Sequence, residues 1–191
     1  MLTLADFTDP PHALLIIDVQ QAIDAPYWGR RNNPGAEAAI AKILAAWRAR
    51  QLPLIHVRHD STHAESAYRP GHPGNQFKPC AAPLAGETVL AKSVHSAFIA
   101  TGLEERLRRQ GIAGLVVIGV ITNNSVETTV RHGANLGFAV AVVADACFTF
   151  DKVDYRGRNV PAEHVHAISL ANLQDEYARI LDSTPLLAAL A

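Results

Sequence analysis

The sequence predicts a three-layer α/β fold in which a mostly parallel sheet is covered by helices on both faces. Residues 13–17 and 115–118 are short, continuous apolar runs rich in branched side chains, typical of strands buried on both faces. Stretches with apolar residues at three- and four-residue steps alternate with such runs, as expected for helices between parallel strands. The 191 residues are 49% hydrophobic. This suits one domain, residues 1–191, with a Rossmann-like sheet of about six strands.

The first predicted strand begins after Pro10-Pro11 and ends at Asp18. In an open α/β sheet, ligands bind beyond the carboxyl ends of the strands, so a carboxylate at this position is suited to chemistry. An aspartate that only caps a turn is the alternative interpretation.

The next segment predicts a helix and a second strand. Asn33-Pro34 is typical of a helix start, with Asn33 as the N-cap. The helix should end near Gln51, and residues 54–57 should form the second strand of a βαβ unit. One apolar face is expected to pack on the sheet, formed by Ile40, Ile43, Leu44 and Trp47.

Residues 58–87 are rich in His, Pro and Gly and show neither a helical nor a strand period. A connection of this length inside a compact domain is usually a lid or a binding loop, so we expect it to help build a pocket. Its histidines and one aspartate raise the question of a zinc or iron site. Polar loop side chains without a metal are the preferred interpretation of His59, Asp60, His63 and His72.

A third strand is predicted at residues 88–91 and is followed directly by Lys92. A lysine beside a carboxylate at the ends of strands can orient that carboxylate and lower the pKa of a neighbouring nucleophile. A solvated surface lysine is the commoner case for a lysine considered alone. Thr101 to Glu104 is similar to a capping box, which predicts a helix over residues 103–109.

The segment from Gly114 to Arg131 predicts a buried strand, a tight turn and a helix that Gly137 stops. Ser125 falls at the start of this helix, where unpaired backbone N–H groups and the positive helix end would hold a nucleophile or an anion. A serine that serves only as an N-cap is the alternative.

The remaining chain predicts a fifth strand at residues 139–144, a long helix starting at Pro161 and an edge strand near residues 177–181. Residues 186–191 form a short apolar tail, which could pack on its own domain or in a contact between subunits. The buried face of the long helix is expected to consist of Val165, Ile168, Leu170 and Leu173.

Three segments together resemble the isochorismatase-like cysteine hydrolases. These are A-L-L-I-I-D-V-Q ending near Asp18, V-L-A-K-S-V-H-S-A-F around Lys92, and G-V-I-T-N-N-S-V, in which Ser125 stands where that family has cysteine. The resemblance implies that Asp18 carries the proton and that Lys92 holds Asp18. It also implies a cis peptide at Val120-Ile121, with the N–H groups of Ile121 and Ser125 as the oxyanion hole.

The resemblance implies hydrolysis of a C–N bond in a small amide, ureide or lactam. A serine hydroxyl is a far weaker nucleophile than a thiol. Ser125 could therefore be an engineered replacement or a natural nucleophile. Two rivals stay open: an enol-ether hydrolase of the isochorismatase type with Asp18 as general acid, and a homologue that binds a small molecule without catalysis. The pocket wall is expected to include Tyr27, Trp28, Arg58 and Phe98.

Composition excludes several classes of partner. The net charge is −1, without any charge run that would suit nucleic acid. Long apolar spans and a signal-peptide pattern are missing, so the expected location is the cytoplasm, without membrane contact. The sequence contains no dinucleotide or phosphate-loop motif, and we expect no cofactor. Cys80 and Cys147 are expected to be reduced and structural. The resemblance implies a homo-oligomer.

Overall fold

A computed structural model describes residues 2–191. Its main sheet consists of six parallel strands in the order β3-β2-β1-β4-β5-β8. A two-stranded antiparallel hairpin, β6-β7, lies outside this sheet. The strands are β1 (His12–Ile17), β2 (Leu54–His59), β3 (Thr88–Lys92), β4 (Gly114–Val120), β5 (Ala139–Phe148), β6 (Lys152–Val153), β7 (Asn159–Val160) and β8 (Arg179–Leu181). The predicted α/β fold with a parallel sheet is confirmed.

Six α-helices accompany the strands, and short 3-10 helices occupy parts of the loops. The α-helices are α1 (Ala5–Thr8), α2 (Ala36–Ala49), α3 (Leu103–Arg109), α4 (Glu127–Asn135), α5 (Ala162–Ala171) and α6 (Ser183–Leu190). The 3-10 helices span Gln21–Asp24, Pro26–Trp28, Pro73–Asn75 and Pro79–Ala81. The helices lie on both faces of the sheet, which gives the three predicted layers.

The two faces of β1 bury different halves of the core. Leu15 and Ile17 contact the cluster that includes the apolar residues of α3, α4 and α5. Leu14 and Ile16 contact the cluster formed by α2 and α6. A strand covered on both sides has no polar face, which is why β1 and β4 are continuous apolar runs.

The strand order reverses between β1 and β4. β2 and β3 follow β1 outward on one side of the sheet, whereas β4 and β5 follow on the other side. The connections at the carboxyl ends of β1 and β4 therefore diverge in opposite directions and leave a crevice between them. Asp18 follows β1 and the turn Thr122–Val126 follows β4, so both predicted segments face this crevice.

Several local predictions were wrong at helix ends. Asn33 is not an N-cap, because its side-chain amide donates to the carbonyl oxygens of Ala144 (3.1 Å) and Cys147 (2.7 Å). Helix α2 begins three residues later, at Ala36. The predicted capping box at Thr101 is also missing within residues 2–191, since Gly102 in the left-handed region (φ 70°) occupies the N-cap of α3.

The C-terminal part differs from expectation in two details, and its apolar tail follows one of the two alternatives. β5 runs to Phe148, four residues beyond the predicted end. Ile168 is 63% exposed and does not belong to the buried face of α5, whereas Leu173 is fully buried. The apolar tail forms α6, which packs on α2 of the same chain through Leu186 and Leu190.

Candidate active site

Asp18 lies at the carboxyl end of β1 with its backbone in the left-handed region (φ 52°). Its N–H donates to the Val57 carbonyl oxygen (2.9 Å), and its own carbonyl oxygen accepts from the Gln20 N–H (2.8 Å). The side chain is only 5% exposed. One carboxylate oxygen, Oδ2, accepts from Lys92, while Oδ1 is buried without any partner within residues 2–191. Asp18 Oδ1 is therefore available to accept a hydrogen bond or a proton inside the site.

Lys92 reaches Asp18 from two strands away. It is the last residue of the edge strand β3, and its register partner in β2 is His59. The side chain is completely buried and carries Nζ to 2.7 Å from Asp18 Oδ2 and 3.2 Å from Ser125 Oγ. The ammonium group thus bridges the carboxylate and the hydroxyl. Burial of this lysine is compatible with its charge because the carboxylate compensates it.

His59 completes the surroundings of the lysine. Its Nδ1 lies 3.5 Å from Lys92 Nζ. Burial lowers the pKa of His59, and the positive charge of Lys92 lowers it further. The neutral imidazole is therefore the favoured form beside the ammonium group.

Ser125 lies in the turn that follows β4. This turn begins with a cis peptide at Val120-Ile121, as the resemblance implied. It continues through Thr122–Val126, where the backbone is kinked at Asn123, and leads into α4. Ser125 is 6% exposed, and its Oγ is the hydroxyl that Lys92 contacts.

Gly119 allows the turn to approach β1. Its φ is 123°, and a Cβ at this position would lie 2.2 Å from the Ile17 carbonyl oxygen. Any side chain here would push β4 away from the end of β1, where Asp18 begins its loop. Only glycine at this position therefore lets the Ser125 turn and Asp18 come together.

A second layer of hydrogen bonds supports the turn from behind. The Thr122 hydroxyl lies 2.9 Å from His166 Nδ1 on α5, and both side chains are buried. The Thr149 hydroxyl donates to Asn123 Oδ1 (2.5 Å). Sequence reasoning missed these residues, because α5 and the end of β5 contact the turn only through the tertiary fold.

A cavity of about 260 Å³ opens beside these groups. Tyr27 and Trp28 line it, as expected. Trp28 is fixed by stacking on Phe150 (5.4 Å between ring centres) and by donation from Nε1 to the Ala22 carbonyl oxygen (3.0 Å). Tyr27 is 67% exposed and lies at the mouth. The lining consists of Asp18, Tyr27, Trp28, His59, Ser66, Tyr68, His95, Val120, Ile121, Asn124 and Ser125.

Arg58 and Phe98 are not among the lining residues over the described range, which corrects the expectation for both. Arg58 points along the sheet and binds Asp60 through Nε (2.8 Å) and Nη2 (3.0 Å). Phe98 packs in the core against Phe138, with 5.9 Å between ring centres. Side chains along β2 point alternately to the two faces of the sheet. His59, rather than Arg58, therefore lies on the side of Lys92, which explains the wrong expectation for Arg58.

The long loop contributes to the site as expected, through residues that the sequence did not single out. Ser66 and Tyr68 of this loop line the cavity, and His95, which follows β3, lines it as well. The loop is held over the strand ends by Asn75, whose amide donates to the carbonyl oxygens of His59 (3.0 Å) and Tyr68 (2.7 Å). Gln20, fully buried, also donates to the carbonyl oxygens of His59 and Asn75.

The polar loop residues considered as metal ligands have other contacts. Asp60 binds Arg58 and Asn75, and His72 Nδ1 accepts from the Gly74 N–H (2.9 Å). Within residues 2–191, no group of three or more His, Cys, Asp or Glu side chains is placed to hold a metal ion.

Cys80 and Cys147 are free thiols and lie outside the cavity lining in the part of the chain that the structure describes. Cys147 is fully buried, and this burial raises its pKa to about 12. A thiol in that state is a poor nucleophile. Among the hydroxyl groups that line the cavity within residues 2–191, that of Ser125 is the one in contact with Lys92.

Comparison with known proteins agrees with this geometry. The sequence profile of the isochorismatase domain matches residues 12–184. The chain belongs to the isochorismatase family. It is therefore a member of a family of hydrolases, and the segments that carry Asp18, Lys92 and Ser125 all lie inside the matched region.

Individual relatives of this isochorismatase-family chain include proteins of similar length. The uncharacterised isochorismatase-family protein YrdC of Bacillus subtilis is 39% identical over 175 residues, covering 92% of this chain and 94% of that protein. The ureidoacrylate amidohydrolase RutB of Methylobacterium radiotolerans is 26% identical over 214 aligned positions, covering 93% and 78%. A crystal structure of a hydrolase of this family from Chromobacterium violaceum is 60% identical, covers 93% and 92%, and superposes with a TM-score of 0.91.

No helix within residues 2–191 is long and apolar enough to cross a bilayer.

Proposed function

We propose that this isochorismatase-family hydrolase cleaves the C–N bond of a small amide, ureide or lactam. The observation that carries the proposal is the arrangement of one ammonium group between two oxygens. Lys92 Nζ lies 2.7 Å from Asp18 Oδ2 and 3.2 Å from Ser125 Oγ, while Asp18 Oδ1 is buried and unpaired within residues 2–191. The similarity to a ureidoacrylate amidohydrolase supports an amide as the substrate.

The first half of the reaction forms an acyl-enzyme. Asp18 accepts the proton of the Ser125 hydroxyl, and Oγ attacks the carbonyl carbon of the substrate. The Lys92 ammonium group stabilises the negative charge on Oγ as the proton leaves. The carbonyl oxygen becomes an oxyanion, which accepts hydrogen bonds from the N–H groups of Ile121 and Ser125. Asp18 then gives the proton to the leaving nitrogen, and the C–N bond breaks.

The second half releases the acid. A water molecule gives a proton to Asp18 and attacks the ester carbonyl carbon of the acyl-enzyme. The C–O bond to Ser125 breaks, and the proton returns from Asp18 to Oγ. The products are the carboxylic acid and ammonia or an amine. Loss of one oxyanion donor typically costs about 3 kcal/mol in the barrier, so the backbone geometry of the turn is as important as the nucleophile.

Two alternative functions would use the same residues differently from an amide hydrolase. A binding protein without catalysis would gain nothing from a buried ion pair, because burying both charges costs free energy. The contact between Asp18 and Lys92 therefore supports an active enzyme. An enol-ether hydrolase would use Asp18 as a general acid and would not need the Ser125 hydroxyl.

Ammonia release from a panel of small amides tests the proposal in three proteins: the chain itself, Ser125→Cys and Ser125→Ala. We expect Ser125→Cys to be the fastest, by about 100-fold or more, because a thiol ionises far more readily than a hydroxyl. Ser125→Ala should release no ammonia. Consumption of isochorismate by all three proteins, with no ammonia from any amide, would replace the amide proposal by the enol-ether function.

A further inference from the structure

Over residues 2–191, the basic side chains at the wall of the active-site cavity are two histidines, His59 and His95. Among the described residues, 2–191, the lining includes the carboxylate of Asp18 but no lysine and no arginine. Lys92 lies behind this wall with its side chain fully buried, and its charge is matched by Asp18. A substrate carboxylate inside the cavity would therefore lose its water shell without gaining a cationic partner.

Three basic side chains of the segment 58–87, which helps to build the cavity, already have partners. Arg58 forms a two-point contact with Asp60, and Lys78 Nζ contacts Asp24 Oδ2 (2.5 Å) and Glu37 Oε1 (2.8 Å). Arg69 donates from Nη1 to the carbonyl oxygen of Ser66 (3.0 Å), a residue of the cavity wall. Moving any of these groups to a substrate would break an existing contact.

The histidines at the wall do not replace a lysine or arginine. His59 faces the Lys92 ammonium group at 3.5 Å, where a second positive charge is unfavourable. His95 is exposed to solvent, so it offers a substrate anion no buried cationic partner. The rest of the wall combines aromatic and apolar side chains, with Trp28 and Tyr68 as its largest flat surfaces, and uncharged polar ones. The polar side chains are those of Ser66, Asn124 and Ser125. Such a surface suits a planar, uncharged group.

We infer that the cavity selects small, uncharged amides and discriminates against amides that carry a carboxylate. This inference rests on the proposed amide hydrolysis and specifies its substrate class. Anionic amides such as ureidoacrylates are therefore expected to be poor substrates of this chain. The carboxylate product of each turnover should also leave readily, because the wall over residues 2–191 has no lysine or arginine to hold it.

A pair of nearly isosteric compounds tests the inference. Terephthalamide is neutral, and 4-carbamoylbenzoate differs from it by one carboxylate in place of one amide. We expect kcat/KM per amide group to be at least about 30-fold lower for the anionic compound, given the cost of an unpaired buried charge. Rates are measured at pH 8 with whichever of the chain and its Ser125→Cys variant is active. Equal or faster cleavage of 4-carbamoylbenzoate would overturn the inference.

Binding separates this inference from the proposed function, because binding needs no turnover. Calorimetry with the chain itself should detect terephthalamide and much weaker or absent binding of 4-carbamoylbenzoate. If the neutral compound binds better but no amide is ever hydrolysed, the selection for uncharged ligands holds and the proposed reaction fails. Tighter binding of the anion, or no binding of either compound, would overturn the selection.

A designed cation gives an internal control. His95→Arg places a positive charge at the mouth, and we expect it to raise the relative rate for 4-carbamoylbenzoate about 10-fold. His95→Gln, a neutral change at the same position, should leave the ratio of the two rates unchanged. If the anion is already preferred and Arg69→Gln abolishes that preference, Arg69 is the anion-binding group and the inference is wrong.

Discussion

At the scale of single residues, the site depends on charges that compensate each other inside the protein. Lys92 is completely buried and Asp18 nearly so, and they meet at 2.7 Å. Removing one member leaves the other as an uncompensated buried charge, which typically costs about 3–5 kcal/mol, whereas replacing both by neutral groups costs much less. The pair is thus a determinant of stability as well as of the proposed chemistry.

A double-mutant cycle on Asp18 and Lys92 separates these two roles. We expect Lys92→Met and Asp18→Asn each to lower the free energy of unfolding by about 3 kcal/mol, and the double variant to recover at least about half of that loss. All three variants should have no measurable amidase activity. Urea unfolding gives the stabilities, and ammonia release gives the activity. Additive losses in the double variant would contradict the proposed charge compensation.

At the same scale, the sequence could predict the identity of the three central residues but only part of their surroundings. Asp18 follows β1, Lys92 ends β3 and Ser125 lies in the turn after β4. The apolar runs located the strand ends, and the resemblance to the isochorismatase-like hydrolases singled out the three residues. Arg58 was misplaced because its side chain binds Asp60, a contact that depends on the loop path after β2. His166 was missed because its contact with Thr122 joins segments 44 residues apart.

At the scale of structural elements, the turn after β4 depends on α5. The Thr122 hydroxyl contacts His166, and His166 Nε2 lies 3.5 Å from the Asn33 amide. These groups hold the turn without touching the cavity. Thr122 and His166 are therefore positioning residues for Ser125 and for the N–H groups beside it.

Thr122→Val tests this role, because valine keeps the shape of threonine but removes the hydrogen bond. We expect kcat to fall about 10-fold while KM changes less than about 2-fold, since only the alignment of the turn is disturbed. The loss of stability should be about 1–2 kcal/mol. Ser183→Ala, which removes a buried hydroxyl bonded to Asp145 rather than to the turn, serves as the control. An equal loss of kcat in both variants would refute a specific positioning role.

The start of β3 is held by a separate cluster centred on Glu87. This carboxylate accepts from Arg48 on α2 (2.7 Å) and contacts His56 Nε2 on β2 (2.9 Å). The Arg48 guanidinium group and the Leu84 N–H lower the pKa of Glu87 to about 2, against a partly opposing effect of burial. A carboxyl whose pKa is depressed on folding stabilises the protein above its unfolded pKa and loses that contribution as the pH falls through the folded pKa.

The pH dependence of stability tests this cluster. We expect the contribution of Glu87, about 3 kcal/mol, to be present above about pH 4.5 and lost progressively towards pH 2. Glu87→Gln should lack this part of the acid destabilisation. His56, whose pKa burial lowers, adds a loss below about pH 6.5 in both proteins. Urea unfolding between pH 2 and pH 7 measures the difference, and parallel curves would show that Glu87 does not titrate as described.

The secondary-structure elements also show which features a sequence pattern can predict and which it cannot. Apolar periodicity located β1, β4 and α2, because burial on the sheet determines that pattern directly. The N-terminal end of α2 was misplaced because Asn33 uses its side chain to bind the backbone of β5 rather than its own helix. Local sequence preference predicts that Asn33 caps its own helix. Its side chain instead binds two carbonyl oxygens that are distant in the sequence.

At the scale of the whole molecule, the parallel sheet is closed on one side by two helices from opposite ends of the chain. α6 packs on α2, and Arg50 Nε donates to the Leu190 carbonyl oxygen (2.8 Å). The homo-oligomer expected from the resemblance stays a prediction. The packing of α6 means that such an assembly need not involve this helix.

Leu186→Ala distinguishes packing within the chain from a contact between subunits. Leu186 is fully buried in the cluster of α2 and α6, so its truncation should cost about 2–4 kcal/mol. Leu84→Ala, at a residue 59% exposed, should change stability by less than about 0.5 kcal/mol and serves as the control. Because the contacts of Leu186 lie within one chain, the loss should be the same at all protein concentrations. A loss that shrinks as the concentration rises, together with a changed mass in light scattering, would instead place α6 in a contact between subunits.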